Sequence, residues 1–162
     1  ARKPPIYVAS AAFDPSRGFP RTIRRRLAEH ADGWLPIATP PETYAAGLEH
    51  IRESIVESDR PGSSITPGYY VDVVVADSES AALEEARTFY RNYYGEQVSY
   101  QDDETLSDEE IRERGAFGTA ETVESRLEEY VEAGTERFVV RFPAADQRRQ
   151  LRAFSEIAAA VR

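Results

Sequence analysis

The sequence contains no cysteine and no methionine, and its 20 basic residues include a single lysine, Lys3. Without cysteine the chain can form no disulfide and offers neither a thiolate nucleophile nor the ligands of zinc ribbons and iron–sulfur clusters. Any redox chemistry must therefore come from a bound organic cofactor. The two histidines, His30 and His50, fall within amphipathic helical patterns and not at ligand spacing, so we expect no metal site.

Long apolar runs and an excess of positive charge are also missing. No stretch reaches the roughly 18 apolar residues that a bilayer span needs, and no signal-peptide pattern follows the first residues. Acidic residues outnumber basic ones by 29 to 20, which gives a net charge of −9. A phosphate backbone needs clustered cations. We therefore expect a cytoplasmic, acidic protein that binds neither nucleic acid nor a membrane.

The chain has what it needs to fold, since 41% of its 162 residues are hydrophobic and 10% are aromatic. Apolar runs rich in β-branched and aromatic residues predict four strands, at 6–9, 34–37, 69–76 and 138–142. Helical spacing of apolar residues predicts helices at 21–32, 40–55, 78–94, 108–114, 120–133 and 145–161. This alternation indicates parallel strands joined by helical crossovers.

Local signals set the expected helix ends. Thr39, followed by two prolines and Glu42, predicts a capping box, and a second box begins at Ser107. Thr119 is expected to cap the following helix, and Gly134 is expected to end it.

Four strand–helix units take about 40 residues each, close to the length of a unit in a (β/α)8 barrel, where eight units need about 250 residues or more. The sequence therefore predicts an α/β fold of the (β/α)8 TIM-barrel type that holds only four of the eight units, in one domain over residues 1–162. An open, parallel, doubly wound sheet is the alternative. Both folds bind ligands at the carboxyl ends of their strands.

The segment after the first predicted strand is the best candidate site. Residues 10–18 combine small side chains, two hydroxyls and Arg17, and they lead toward a helix N-terminus, which suits a phosphate group. A solvated loop with a turn at Asp14-Pro15 is the other interpretation. Arg112 and Arg114 are reserve cations if Arg17 points to solvent.

Other charged and aromatic residues have a structural interpretation beside a functional one. Asp32 is expected to bond turn backbone groups, although it could be a catalytic acid. Tyr93 and Tyr94 either cover a flat ligand or complete the core. The polar, acidic and aromatic stretch beside them predicts a mobile lid over residues 95–107.

Four blocks of the chain together resemble a known family. They are Pro4 to Ala9, Ala28 to Pro36, Gly118 to Val123 with Leu127, and Ala133 to Pro143 with Asp146-Gln147. In this order, over nearly the whole chain, they resemble the C-terminal half of the luciferase-like monooxygenase family. The resemblance implies a (β/α)8 barrel that binds FMN or the deazaflavin coenzyme F420 at the carboxyl ends of its strands, and that moves hydride or activates oxygen there.

The resemblance also implies where the cofactor phosphate lies. Deazaflavin-dependent members place two glycines after the strand that matches residues 6–9, where this chain has Ala11 and Ala12, and a lysine after the next strand, where it has Thr39 and Pro40. A hydroxyl, a guanidinium and a glycine amide at residues 16–18 can replace those contacts, and they suit FMN equally. The implied cofactor-binding residues are Ser10, Ala11, Ala12, Ser16, Arg17, Gly18 and Thr39.

The family's substrate-binding and ring-binding residues lie largely in its N-terminal half, so the catalytic residues are not expected in this chain. We expect a fragment or a split subunit that associates with the N-terminal half, or with copies of itself, because four strands leave two open sheet edges. The implied function is that of a flavin- or deazaflavin-dependent oxidoreductase acting on a small molecule, with this chain supplying phosphate and lid contacts. A non-catalytic scaffold or binding subunit with the same fold is the alternative.

Overall fold

A computed structural model describes residues 3–58, 60, 65–94 and 106–161 of the chain. The described strands are β1 (Tyr7–Val8), β2 (Gly33–Trp34), β3 (Thr66–Val75), β4 (Gly115–Gly118) and β5 (Arg137–Arg141). The described helices are α1 (Arg21–Glu29), α2 (Pro41–Glu57), α3 (Glu79–Tyr94), α4 (Asp108–Arg112), α5 (Ala120–Glu132) and α6 (Gln147–Ala158). Apart from β4, the elements follow the predicted order.

Strand β3 pairs with three other strands. On one edge it pairs in parallel with β2 and then with β4, and β2 in turn pairs in parallel with β1. Strand β5 also pairs with β3, and the N–H of Glu136 donates to the carbonyl of Pro67 at 2.9 Å. Parallel strands with intervening helices confirm the predicted α/β class.

Strand β4 is a feature that the sequence does not predict. It has four residues with a glycine at each end, so it carries no alternating pattern, and Gly115 indicates only a helix end. A Cβ atom at Gly115 would lie 1.8 Å from the carbonyl oxygen of Asp72. Glycine is therefore what allows the backbone of β4 to approach β3 this closely.

The chain divides into two compact units, each with its own core. Unit 1 consists of residues 1–70 and 129–139, and unit 2 consists of residues 71–128 and 140–162. The expectation of a single domain over residues 1–162 stays a prediction.

The core of unit 1 is built from aromatic rings. Trp34 stacks on Tyr44 with ring centroids 5.1 Å apart, and Tyr69 stacks on Tyr130 at 4.0 Å. All four side chains are almost completely buried. Since aromatic residues bury the largest areas of any side chains, this cluster fixes how α2 and α5 pack on the strands of the unit.

The core of unit 2 lies between α3, α4 and the strands β3 and β4. Its buried residues are Val74, Ala82, Leu83, Ala86, Tyr90, Ile111 and Phe117. The side chain of Gln150, on α6, is also buried: its Oε1 accepts from the N–H of Val75 at 2.8 Å and its Nε2 donates to the Val75 carbonyl at 3.1 Å. Gln150 thus satisfies both backbone groups of Val75, as a neighbouring strand would.

Three of the four predicted helix ends are confirmed. Ser107 begins α4 with a complete capping box, in which its N–H donates to Glu110 at 2.8 Å. Thr119 caps α5, since its hydroxyl oxygen accepts from the N–H of Thr122 at 3.2 Å. Gly134 follows α5 with φ +101°, a left-handed conformation that favours glycine.

The capping box predicted at Thr39 is wrong. Helix α2 begins after Pro40, and no side chain caps it. The Thr39 hydroxyl instead donates backward to the carbonyl of Ile37 at 3.1 Å. The chain before the helix turns at Ala38, whose φ of +49° is rare for a residue with a side chain, and this turn accompanies the burial of Thr39.

None of the described helices is long and apolar enough to cross a bilayer. Most of the predicted lid, residues 95–105, lies outside the described residues. Of its last two residues, Leu106 packs against the core of unit 2 and Ser107 caps α4.

Candidate functional site

The loop after β1 is organised around the carboxylate of Asp14. Its Oδ1 accepts from the N–H of Ser16 at 2.8 Å, from the Ser16 hydroxyl at 2.6 Å and from the N–H of Arg17 at 3.1 Å. The N–H of Gly18 donates to the Asp14 carbonyl at 2.7 Å, and Gly18 has φ +73°. The predicted turn is therefore present. The Ser16 hydroxyl, followed by the amides, holds the pKa of the exposed Asp14 carboxyl below its usual value.

Aromatic residues of unit 1 contact both ends of this loop. The indole Nε1 of Trp34 donates to the Ser10 carbonyl at 2.8 Å. Phe19 is buried against Trp34, with ring centroids 5.4 Å apart and the rings edge to face, and Phe13 lies 4.9 Å from Phe19. The two ends of the loop are thus fixed to a rigid core, which suits a binding loop.

His50, on α2, is a contact of the loop that the sequence analysis missed. Its ring lies 5.8 Å from that of Phe13 and 5.9 Å from that of Phe19. A Cβ atom at Gly18 would lie 2.7 Å from the imidazole, so the ring fills the space that the glycine leaves. Helical periodicity places His50 on α2 correctly, but it carries no information about a contact with a distant loop.

Six of the seven predicted cofactor-binding residues lie together in this loop. Ala11, Ala12, Ser16 and Arg17 are exposed. The two serine side chains already form hydrogen bonds within the loop. The Ser16 hydroxyl donates to the Asp14 carboxylate, and the Ser10 hydroxyl oxygen accepts from the N–H of Ala12 at 3.3 Å. Arg17 is therefore the side chain of this set that offers a full positive charge to a ligand.

Thr39, the seventh predicted residue, lies in a buried polar network. Its N–H donates to the Tyr69 hydroxyl at 3.1 Å, and its carbonyl accepts from the Tyr130 hydroxyl at 3.0 Å. The Tyr69 hydroxyl also lies 2.9 Å from that of Tyr130. Beside them, burial raises the pKa of Tyr44 to about 12. Thr39 is 4% exposed, so its backbone serves the core of unit 1.

Asp32 has a structural role, as the sequence predicts, but its carboxylate bonds the chain beside β1 and not the backbone of its own turn. Its carboxylate accepts from the N–H of Ile6 at 2.8 Å, and its own N–H donates to the Ile6 carbonyl at 2.7 Å. These bonds join the start of β1 to the start of β2.

Unit 2 contains a buried charged group that no sequence pattern indicates. The carboxylate of Asp72, on β3, has no exposed surface, and it accepts from Nε and Nη2 of Arg141 at 2.7 Å and 2.5 Å. The Tyr90 hydroxyl, on α3, also donates to Asp72. The guanidinium groups of Arg114 and Arg141 both lie 5.6 Å from the centre of the Tyr90 ring. We call these four residues the Asp72 cluster.

An open cavity of about 430 Å³ lies along one face of α3. Phe89 and Tyr93 line it and stack with ring centroids 5.5 Å apart, and Tyr93 is 50% exposed. Its volume is in the range of small-molecule pockets. Tyr93 thus faces an open cavity while its ring stacks on that of Phe89. The side chain of Tyr94 lies outside the described part of the molecule.

Comparison with solved structures shows the fold. The chain aligns with an F420-dependent secondary alcohol dehydrogenase in complex with an F420–acetone adduct, at a TM-score of 0.75 and 18% identity over 99% of this chain and 50% of that one. It also aligns with the coenzyme F420-dependent tetrahydromethanopterin reductase from Methanopyrus kandleri, at a TM-score of 0.70 and 17% identity. That alignment covers 98% of this chain and 51% of the reductase. A riboflavin lyase with modified FMN and substrate riboflavin aligns at a TM-score of 0.60 and 14% identity, and the alignment covers 89% of this chain and 40% of that one.

The chain therefore spans about half the length of the first two structures it matches. A search of curated protein sequences found no match. The family model described as luciferase-like monooxygenase matches residues 2–137, which is most of the chain. With its alternating α/β elements and its likeness to F420- and flavin-dependent enzymes, the chain belongs to the luciferase-like monooxygenase family.

Proposed function

We propose that this chain is part of a flavin- or deazaflavin-dependent oxidoreductase that acts on a small molecule. The family match over residues 2–137 carries the proposal. Two of the similar structures are named as F420-dependent enzymes and one contains modified FMN, so coenzyme F420 and FMN are the cofactors we propose. When bound, such a ring supplies hydride transfer or oxygen activation, which no side chain of this cysteine-free sequence provides.

The role we propose for this chain is to hold the cofactor phosphate at the loop of residues 10–18. Arg17 is exposed there, and Ala11 and Ala12 are exposed residues whose small side chains leave room for a close approach. A guanidinium forms charge-assisted, bidentate bonds with phosphate oxygens, which offset the cost of desolvating the anion. The aromatic support from Phe19 and Trp34 keeps the loop in place without the ligand.

The remaining predicted residues would contribute in different ways. The Ser16 hydroxyl and the Ser16 and Arg17 amides bond to Asp14, so a phosphate would have to take the place of that carboxylate to reach them. Thr39 holds Tyr69 and Tyr130 through its backbone, and we propose that it supports the site from within the core. We further propose that ring-binding and substrate-binding groups come from an N-terminal half-barrel.

Cofactor titration of the complete protein tests this proposal. We expect Arg17→Ala to weaken the affinity for FMN or F420, whichever binds, by roughly tenfold to a hundredfold, the loss of one charge-assisted contact. Arg25→Ala is the matched control, because Arg25 is an exposed arginine on α1. Fluorescence of the cofactor measures the binding. Equal affinities in Arg17→Ala and the parent protein would remove the loop from the site.

The alternative function is a non-catalytic scaffold or binding subunit that keeps the fold. The observation that favours it is the Asp14 carboxylate, which already occupies donors that a phosphate would use. A complete protein that carries no chromophore, and whose addition changes the fluorescence of neither cofactor, would support this alternative.

A further inference from the structure

Helix α2 and the loop of residues 10–18 meet at two glycines. His50 lies against Gly18, because a Cβ atom at Gly18 would stand 2.7 Å from the Cε1 of the imidazole. In the opposite direction, Gly47 on α2 leaves room for the ring of Phe13, which a Cβ atom at Gly47 would contact at 3.4 Å. Gly47 and His50 are three positions apart, so they lie on the same side of the helix. One face of α2 therefore contacts two points of the loop.

The imidazole of His50 packs against two rings of the loop. Its plane is tilted by 53° from that of Phe13 and by 47° from that of Phe19. Phe19 is buried, whereas Phe13 and His50 are half-buried. Tilted contacts of this kind are a favourable arrangement for aromatic rings, and a phenyl ring can make them as well as an imidazole.

The position of Gly18 sets where the backbone of Arg17 lies. The N–H of Gly18 donates to the carbonyl of Asp14 at 2.7 Å, and the N–H of Arg17 donates to the same carbonyl at 3.1 Å. Gly18 has φ +73°, a conformation that glycine adopts at little cost. Arg17 is exposed, so its side chain extends from a backbone that is held between Asp14 on one side and the contact of Gly18 with His50 on the other.

We propose that His50 is a positioning residue of the phosphate site: by packing against Gly18 it keeps the loop in the shape in which Arg17 reaches the cofactor phosphate. This role rests on the proposed function, because it belongs to the same site. A loop that is already held in its binding shape loses less conformational entropy when the ligand arrives. If a loop takes that shape only part of the time, the apparent affinity falls by the same fraction. His50 thus acts on affinity through Arg17.

Cofactor titration of variants of the complete protein tests this role. We expect His50→Ala to weaken the affinity for FMN or F420, whichever binds, by roughly tenfold. The double variant Arg17→Ala/His50→Ala should bind within about twofold of Arg17→Ala alone, because His50 acts through Arg17. His50→Phe keeps a planar ring and should restore most of the affinity. His30→Ala is the matched control, since His30 is an exposed histidine that follows α1.

Trypsin gives a readout that does not need the cofactor. Cleavage of the bond between Arg17 and Gly18 requires the loop to open, so its rate reports how often the loop leaves its shape. We expect His50→Ala to release the fragment that begins at Gly18 faster than the parent does, as mass spectrometry measures, and His50→Phe to release it at nearly the parent rate. The bond between Arg126 and Leu127 lies inside α5, so its cleavage reports a general loss of stability instead.

The outcomes separate this role from the proposed function. If Arg17→Ala weakens cofactor binding and His50→Ala does not, the positioning role is wrong and the phosphate loop stands. If Arg17→Ala leaves the affinity unchanged, the loop is not the phosphate site and both proposals fail. If His50→Ala speeds cleavage at Arg17 and at Arg126 alike, or if the effects of the two substitutions on affinity simply add, His50 supports the fold in general and the positioning role is overturned.

Discussion

Asp14 controls the shape of its loop through the charge of one carboxyl group. Because folding lowers the pKa of Asp14, its contribution to stability is complete above the unfolded value, about 3.9, and is lost as the pH falls through the folded value. We expect Asp14→Asn to lower the melting temperature at neutral pH, with the difference from the parent narrowing as the pH falls below the unfolded value. Glu128→Gln, at an exposed site on α5, is the control. A difference that stays constant with pH would contradict this role.

The Tyr69 hydroxyl has a role that its ring does not share. It bonds both the N–H of Thr39 and the hydroxyl of Tyr130 inside the core of unit 1. Tyr69→Phe keeps the ring but leaves a buried N–H unpaired, so the free energy of unfolding should fall by about 1–3 kcal/mol. Tyr7→Phe, at a half-buried position, should cost less than about 0.5 kcal/mol. Urea unfolding of both variants measures the difference, and equal costs would show that the network adds nothing.

At the scale of elements, the pairing of β4 with β3 depends on Gly115. A Cβ there would meet the backbone of Asp72 at 1.8 Å, whereas at Gly33 it would meet the ring of Tyr7 at 2.2 Å. A half-buried ring can turn aside and a paired backbone cannot. We therefore expect Gly115→Ala to cost more than about 3 kcal/mol of unfolding free energy, and Gly33→Ala to cost clearly less. Thermal unfolding of the two variants compares their losses of stability. A larger loss in Gly33→Ala than in Gly115→Ala would contradict the prediction.

The elements that sequence reasoning finds are those whose signals are local. The Ser107 capping box spans four residues, and the apolar run of β3 is continuous, so both are predicted correctly. Asp72 and Arg141 are 69 positions apart, and neither residue type indicates the other. The Thr39 prediction fails for the same reason: its local pattern fits a cap, but contacts with distant Tyr69 and Tyr130 bury it. The turn at Asp14-Pro15 is also predicted correctly from its local pattern, whereas the bonds that the Asp14 carboxylate accepts from Ser16 and Arg17 depend on three-dimensional geometry.

At the scale of the molecule, the chain carries apolar side chains at strands that a complete barrel would cover. Ile6, beside β1, is 44% exposed, and Val139, in β5, is 38% exposed. Among the described strands, β1 pairs with β2 alone, and open strand edges pair readily with other chains. We propose that an N-terminal half-barrel, or a second copy of the chain, covers them.

Sedimentation of the 162-residue chain alone tests this proposal. We expect a species heavier than the 18.2 kDa monomer at micromolar concentration. Val139→Glu should weaken the association at least about tenfold, which is about 1.4 kcal/mol. Val56→Glu, at a 64% exposed site on α2, should leave it unchanged. A stable monomer of the parent chain, with no affinity for a separately produced N-terminal half, would contradict the proposal.

The side chain of Gln150 has a consequence for how the protein avoids aggregation. By bonding both the N–H and the carbonyl of Val75, it occupies the backbone groups that an incoming strand would use to extend the sheet. Strand β3 ends in Val73-Val74-Val75, an apolar β-branched run of the kind that forms intermolecular β-structure when its edge is exposed. One side-chain amide from a helix thus occupies both backbone groups of Val75, and an added strand would have to displace it to pair at this end of β3.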